Sequence, residues 1–488
     1  MTEPTGGRPH PALLATRLPA IVVCLWAIVC GALVLRAWLA LDEPCDHDDA
    51  FMAFRYAKNL ALGNGLVFNV GERVWGFTSP LVVLVLAALN ALGASLERAS
   101  IVMGVAASSL NAILLWRLLS PFISPFLAVA MSLFCITALT SFRYLGLETQ
   151  ELLVLQTLFL TLLVCRRMAL AALIGGLACL TRPDSVVLVA MMFLLTKELR
   201  RLRPVLFLSV PGLAWLLFAR LYYGDWLPQT FYAKSGATSF VSAMARNIHL
   251  LNTFPFADYS FKLDEFSPSL VVAALINVGV TAITLFQRRL RVEKTIVAAF
   301  LLYPWVLCLS YAIIGPPGGQ DWEVHSAVFF NQMALALGLL TAAERLADLA
   351  RQRTVVWVLH LSLLVGTALL SLKNLDIHRG TPAWSVTAYW AGARHRSYLE
   401  VAKWINANLP AGTVMSMDEP GTVGFYTQLY VIDLYHIVIR KEPKEAPPYR
   451  LEFGDSLRSE VGLVRYERLQ FFPARGFRDL SLMKRVGE

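Results

Sequence analysis

Residues 46–49 read DHDD, three carboxylates and an imidazole set directly after an apolar run that ends at Leu41. Asp48 and Asp49 begin a stretch whose apolar residues recur at helical spacing, with Arg55 and Lys58 between them. A carboxylate so placed can take a proton from an attacking hydroxyl. Adjacent residues on a helix point about 100° apart, so the two aspartates cannot both serve one acceptor. At most one could act as a base, with the other a cap or orienting ligand; the sequence leaves open which. In isolation, acids at a helix start simply complement its dipole. Asp46 and His47 read as solvated loop, although an Asp/His mixture leaves room for a divalent ion; a metal is neither required nor excluded.

Other polar clusters recur along the chain. Glu148 lies in SFRYLGLET, Arg182 and Asp184 in TRPDS, Tyr232 and Lys234 in YYGDWLPQTFYAKSG, and Asp321 and His325 in GPPGGQDWEVHS. Cations there could hold a leaving phosphate. Plainer roles exist for each: snorkelling for Arg182, interfacial anchoring for Lys234, an aromatic belt for Tyr232, and mutual pairing for Arg143 and Glu148.

The rest of the chain explains why such groups are conspicuous. Hydrophobic residues make up 57% and charged residues 16% of the 488, against about 25% charged in soluble domains. The excess lies in blocks near membrane-spanning length, including residues 19–41, 79–92, 205–222, 269–286 and 354–372. This is a polytopic membrane protein of all-α type. Residues 19–41 exceed a signal-peptide core and are followed by further spans, so an uncleaved first helix is expected. The net charge of +9 resides in short basic loops, at residues 166–167, 197–203, 287–294 and 345–353. That is orientation information and no nucleic-acid footprint. Six of seven cysteines sit in apolar runs, so neither a disulfide framework nor a CxxC site is expected.

With the basic loops inside, residues 42–78, 140–149, 181–185, 222–236 and 315–326 fall outside, as does the tail. Every unusual polar cluster then shares one face. One conflict arises between residues 80 and 140, where three apolar pieces connect two external ends. The piece at 121–139, with two prolines, is the expected re-entrant or split one, giving about eleven spans. Residues 49–62 are too charged to cross and suit a helix in the interface. Two domains are expected: a membrane module over 1–372, and a small external α/β domain over 373–488, where TVMSM, GTVGFY and YVIDLY read as strand, helix or turn, and strand.

The stretch DHDDAFMAFRYAKNLALGNGLVFNVGERVWGFTSP resembles the first external loop of GT-C superfamily glycosyltransferases, in particular the mycobacterial terminal arabinofuranosyltransferase group and its bacterial relatives. SFRYLGLET, LTRPD, YYGDWLPQTFYAK, GGQDW and GTVGFYTQLYVIDL also fit, so the resemblance runs from Asp48 to about Tyr435. GGQDW carries one Gln more than the usual GGDW, which weakens any role for Asp321. The resemblance implies an inverting enzyme of the bacterial plasma membrane, with its site facing outward. It would transfer a sugar, arabinofuranose by this likeness, from a polyprenyl-phosphate donor to a glycan, lipid or protein acceptor. The first-loop base falls on Asp48 or Asp49. Arg55, Glu148, Arg182, Tyr232, Lys234, Asp321 and His325 are the expected donor-phosphate and substrate contacts. The alternative is a transporter or flippase of lipid-linked glycans, against which stand the one-sided polar set and the lack of an internal repeat.

Overall fold

The computed structural model describes residues 47–120, 146–235, 239–253, 299–314, 324–334, 386–439, 445–455, 457–461, 464–473 and 479–486, with isolated residues between. Residues 19–41, 269–286 and 354–372, and the expected domain boundary, lie outside the described residues.

Helix α1 spans Asp48–Ala61 and buries Phe51, Phe54, Arg55 and Tyr56. It ends before Gly63, whose φ of +80 turns the chain. The loop that follows is tied beneath it, because the Tyr56 hydroxyl donates to the Val74 carbonyl at 2.8 Å and Asn59 Nδ2 donates to that of Val67 at 2.8 Å. Pro80 starts α2, Pro80–Ala91, at a position where its missing N–H costs nothing. Ser95 caps α3, Leu96–Leu119, by accepting the Arg98 N–H at 3.3 Å. Then come α4 (Thr149–Val164), α5 (Met168–Thr181), α6 (Ser185–Leu195), α7 (Leu202–Tyr222), α8 (Gln229–Lys234), α9 (Phe240–Thr253) and α10 (Tyr303–Ile314).

Among the described residues, α3 and α7 are long and apolar enough to cross a membrane; five further apolar helices are shorter. Helix α7 leaves Leu206, Val210, Leu213, Leu217 and Leu221 exposed and buries only Pro204, Trp215 and Ala219. An exposed apolar face of that length marks a contact with lipid or with other protein.

Helix α2 fills most of the apolar block at 79–92, and its 12 residues rise about 18 Å, as do the 12 of α10.

The tail folds as α11 (Val386–Asn408), β1 (Val414–Met417), α12 (Gly421–Tyr426), β2 (Tyr430–Asp433), β3 (Tyr449–Phe453), β4 (Arg458–Val461), β5 (Val464–Phe472) and β6 (Leu480–Arg485). The sheet order is β2-β1-β3-β6-β5-β4. β1 is parallel to both β2 and β3, and the remaining pairs are antiparallel. The expected strand–helix–strand unit is therefore present, extended by four strands. The β2 edge is closed by the first loop: Asn69 accepts the Val431 N–H at 3.0 Å and donates to its carbonyl at 2.9 Å. Those are the bonds a neighbouring strand would make. One apolar core runs from Phe51 and Phe54 through Val423 and Phe425 to Leu482.

Candidate functional site

Asp48 and Asp49, adjacent in sequence, have opposite surroundings. Asp48 is buried, and its carboxylate accepts the Gly421 N–H at 2.8 Å and the Thr422 N–H at 2.7 Å. It caps α12, a helix 373 residues away, while the expected cap position on its own helix, at His47, makes no side-chain cap bond. Burial pushes the Asp48 carboxyl up to about 6, and Glu419 adds to this; Arg394 and the two N–H donors oppose it. Asp49 is exposed, turned about 100° from its neighbour.

Around Asp48 stands a group the sequence reading missed. Arg394 Nε donates to Glu419 Oε2 at 2.9 Å, and the Tyr398 hydroxyl donates to the same oxygen. His395 is buried and stacked on Phe51, with ring centroids 5.2 Å apart. Burial, reinforced by Arg396, lowers its pKa to about 4. The only signal for these residues was DEPG before GTVGFY, an acid-rich turn ahead of a helix start.

Arg55, expected at the donor phosphate, is buried and committed to protein oxygens. Its Nε donates to Phe68 O at 2.8 Å, Nη1 to Gly424 O at 2.9 Å, and Nη2 to Leu429 O at 2.6 Å. The guanidinium fastens α1 to the tail. Gly424 belongs to this contact, because a Cβ there would come within 2.6 Å of Nη1. Glu72 continues it by accepting the Tyr430 hydroxyl at 2.7 Å.

The first loop is anchored to the 222–229 segment as well. Leu66 N–H donates to the Tyr222 hydroxyl at 3.1 Å, the Tyr223 hydroxyl donates to Leu66 O at 2.8 Å, and Gln229 N–H donates to Trp75 O at 2.8 Å. Arg73 lies 4.6 Å over the Tyr222 ring. Tyr232, further along, is exposed on α8. Lys234 is the last residue of α8, but its side chain and all of Asp321 lie outside the described residues, as does Arg143.

Glu148, Arg182 and Asp184 meet in a second centre. Arg182 is buried; its Nη1 donates to Glu148 at 2.8 Å, Nε to Asp184 at 3.0 Å, and Nη2 to the Tyr311 hydroxyl at 3.1 Å. Tyr311 in turn donates to Asp184 at 2.8 Å. The helix junctions at 148 and 182–184 and the last turn of α10 at Tyr311 bring these groups together. Beside Asp184 a buried polar chain begins: Gln156 Nε2 donates to Ser185 at 3.2 Å and to the Tyr303 hydroxyl at 3.1 Å, which shares a 2.8 Å bond with Ser326. His325, next to Ser326, is buried too. Among the described residues no group of three His, Cys, Asp or Glu side chains stands ready to hold a metal ion.

Residues 386–441 match a domain family of unknown function, DUF8728. Over 243 residues the chain is 28% identical to the terminal β-(1→2)-arabinofuranosyltransferase of Mycobacterium tuberculosis, covering 44% of this chain and 39% of the relative. The matched region thus spans about two fifths of that relative's length. Two solved structures share the fold. ArnT from Cupriavidus metallidurans, in the apo state, superposes over 94% of this chain and 98% of its own, with TM-score 0.52 and 12% identity. The Archaeoglobus fulgidus oligosaccharyltransferase, in complex with zinc and sulfate, does so over 84% and 62%, with TM-score 0.50 and 11% identity. The helical bundle and the sheet-bearing tail thus share their fold with these two structures, and part of the chain is similar in sequence to a terminal arabinofuranosyltransferase.

Proposed function

We propose that the chain transfers a sugar, arabinofuranose by its resemblance to the terminal arabinofuranosyltransferase, from a polyprenyl-phosphate donor to a cell-envelope acceptor, with inversion and on the outer face of the plasma membrane. The comparisons favour transfer over the flippase alternative. One observation carries the assignment of the base: both Asp48 oxygens are engaged by backbone N–H groups in a buried site, whereas Asp49 is exposed beside it. Asp49, exposed at the start of α1, is then the carboxylate that an acceptor hydroxyl can reach. As that oxygen attacks the anomeric carbon, its proton passes to the Asp49 carboxylate. The bond from the anomeric carbon to the phosphate oxygen breaks, and the polyprenyl phosphate departs as an anion without needing a proton. One displacement inverts the centre, so a single base suffices, in contrast to the paired carboxylates of retaining enzymes.

Arg182 serves the donor phosphate in this reading, held beside the Tyr311 hydroxyl, which accepts from Arg182 and donates to Asp184. Two carboxylates already surround the guanidinium, so a phosphate must displace one of them. Glu148, which bonds Nη1 alone, is the one to yield. Arg55, occupied by carbonyls, is a positioning residue that holds α1 against α12.

The reading is tested by incubating purified protein with radiolabelled polyprenyl-phosphate sugars and a panel of acceptors. Asp49→Asn should lower turnover by about 10²–10⁴ while donor binding persists. Undiminished transfer by that variant would remove Asp49 from the chemistry.

A further inference from the structure

A cleft of about 380 Å³ opens where α1, α11 and α12 end, away from the first-loop aspartates. Its size falls within the 300–1,000 Å³ typical of small-ligand sites. Lys58, Asn406, Ala411, Tyr426, Thr427 and Gln428 contribute to its walls.

The chemistry of these walls is specific. Lys58 Nζ donates to Phe425 O at 3.1 Å, leaving further N–H donors on the ammonium. Asn406 Nδ2 donates to Tyr426 O at 2.9 Å, which leaves its amide oxygen as an acceptor. The Gln428 side chain is exposed and offers both donor and acceptor. The Tyr426 ring is fixed, because its hydroxyl donates to Glu97 at 3.0 Å. Glu97 also favours the charged form of Lys58, against burial and Arg55, which disfavour it. Planar amides, a fixed aromatic ring and a compensated cation suit a neutral polyhydroxyl chain. A phosphate or anionic headgroup would meet Glu97.

Location adds a constraint. Asp48 binds the N-terminus of α12 and Lys58 its C-terminal end, so α1 and α12 run side by side. The ten residues from Asp48 to Lys58 span about 15 Å along α1, and Lys58 lies about half a turn round from Asp49. Only an extended ligand could occupy both places.

We propose that this cleft binds an internal segment of a neutral acceptor glycan, so that the enzyme prefers chains several sugars long over mono- or disaccharides. This rests on the glycosyltransferase reading above. None of the lining residues belongs to the proposed catalytic group.

The experiment uses the full chain in nanodiscs, with arabinofuranose oligosaccharides of one to six units as acceptors and as binding probes. The variants are Gln428→Ala, which removes one amide, and Ala411→Trp, which fills an exposed wall. Wild type should bind the hexamer more tightly than the dimer. Each variant should raise KM for the hexamer about five- to tenfold, as for one or two net hydrogen bonds, with kcat and dimer transfer unchanged. Nanodiscs rich in anionic lipid should not compete for the cleft. Equal KM for long and short acceptors in wild type, unchanged hexamer KM in both variants, or competition by anionic lipid would overturn the proposal. Hexamer binding that is lost in Ala411→Trp, without sugar transfer by wild type, would instead keep the cleft and remove the transferase reading.

Discussion

Asp48 and Gly421 meet across 373 residues, with the Gly421 N–H donating to Asp48 Oδ2 at 2.8 Å. The approach is so close that a Cβ on residue 421 would overlap the Asp48 carbonyl oxygen. Only glycine permits it. The contact ties the first loop to the tail, so the two acids should separate on mutation. Asp48→Ala leaves two buried N–H groups without acceptors and should cost about 1–3 kcal/mol for each. Gly421→Ala should lower stability by more than the roughly 1 kcal/mol typical of single substitutions. Asp49→Ala should lower the melting temperature less than Asp48→Ala does and remove transfer. Thermal unfolding in detergent, beside the transfer assay, checks the split; a stable Gly421→Ala would contradict the close contact.

The pH dependence of stability should show two opposed slopes. Asp48 is raised from 3.8 to about 6, first by burial and then by Glu419. The folded state therefore holds its proton at pH values where the unfolded state has lost it, and stability falls as pH rises from about 4 to 6. The change is on the order of 3 kcal/mol. His395 is lowered from 6.5 to about 4, by burial and then by Arg396. There the unfolded state takes up the proton first, so stability falls as pH drops from about 6.5 to 4. The two largely cancel in wild type. Asp48→Asn should leave the His395 slope, with melting temperature rising with pH; His395→Phe should leave the opposite slope. Parallel profiles in both variants would rule out this pairing.

Arg182 distinguishes a structural lock from a phosphate grip. Removing the guanidinium strands Glu148 and Asp184, and breaking a buried pair costs about 3–5 kcal/mol. Arg182→Ala should therefore unfold at lower temperature and lose donor affinity. Glu148→Gln removes only a competing negative charge. If phosphate displaces Glu148, that variant should bind a polyprenyl-phosphate sugar at least as tightly as wild type. Donor affinity falling in parallel with stability in both variants would mark the cluster as structural.

What was legible in the sequence was local. The acid pair, the charged interfacial helix and the strand–helix–strand unit at 414–433 each follow from spacing over a dozen residues. The tail's remaining strands are short and charged, as in RSEV and VRYERLQFF, and carry weak alternation. The roles of Asp48 and Arg55 were not legible because their partners, Gly421, Gly424 and Leu429, lie about 370 residues away. Backbone groups as partners leave no mark in side-chain types. Arg394 and Tyr398 meet the Glu419 side chain and His395 meets the Phe51 ring, contacts between separate segments that no local spacing announces.

Between residues 80 and 140 the sequence placed a span at 79–92 and a re-entrant or split piece at 121–139. Tyr426 donates to Glu97 in the first turn of α3, and Tyr426 belongs to the helix whose N-terminus binds Asp48. The start of α3 and the start of α1 thus lie beside one short helix of six residues, about 9 Å long. A helix that enters at Ser79 on the external side and ends at Leu92 on the opposite side could not satisfy this. Helix α2 should instead lie at the external surface without crossing. The first crossing after the first loop is then α3, the piece at 121–139 returns, and the count between 80 and 148 becomes even. Ala91→Cys should react with an impermeant maleimide applied to intact cells. Arg167→Cys, in the basic turn between α4 and α5, should react only after the membrane is opened. Protection of Ala91→Cys in intact cells, with labelling after permeabilisation, would restore α2 as a span.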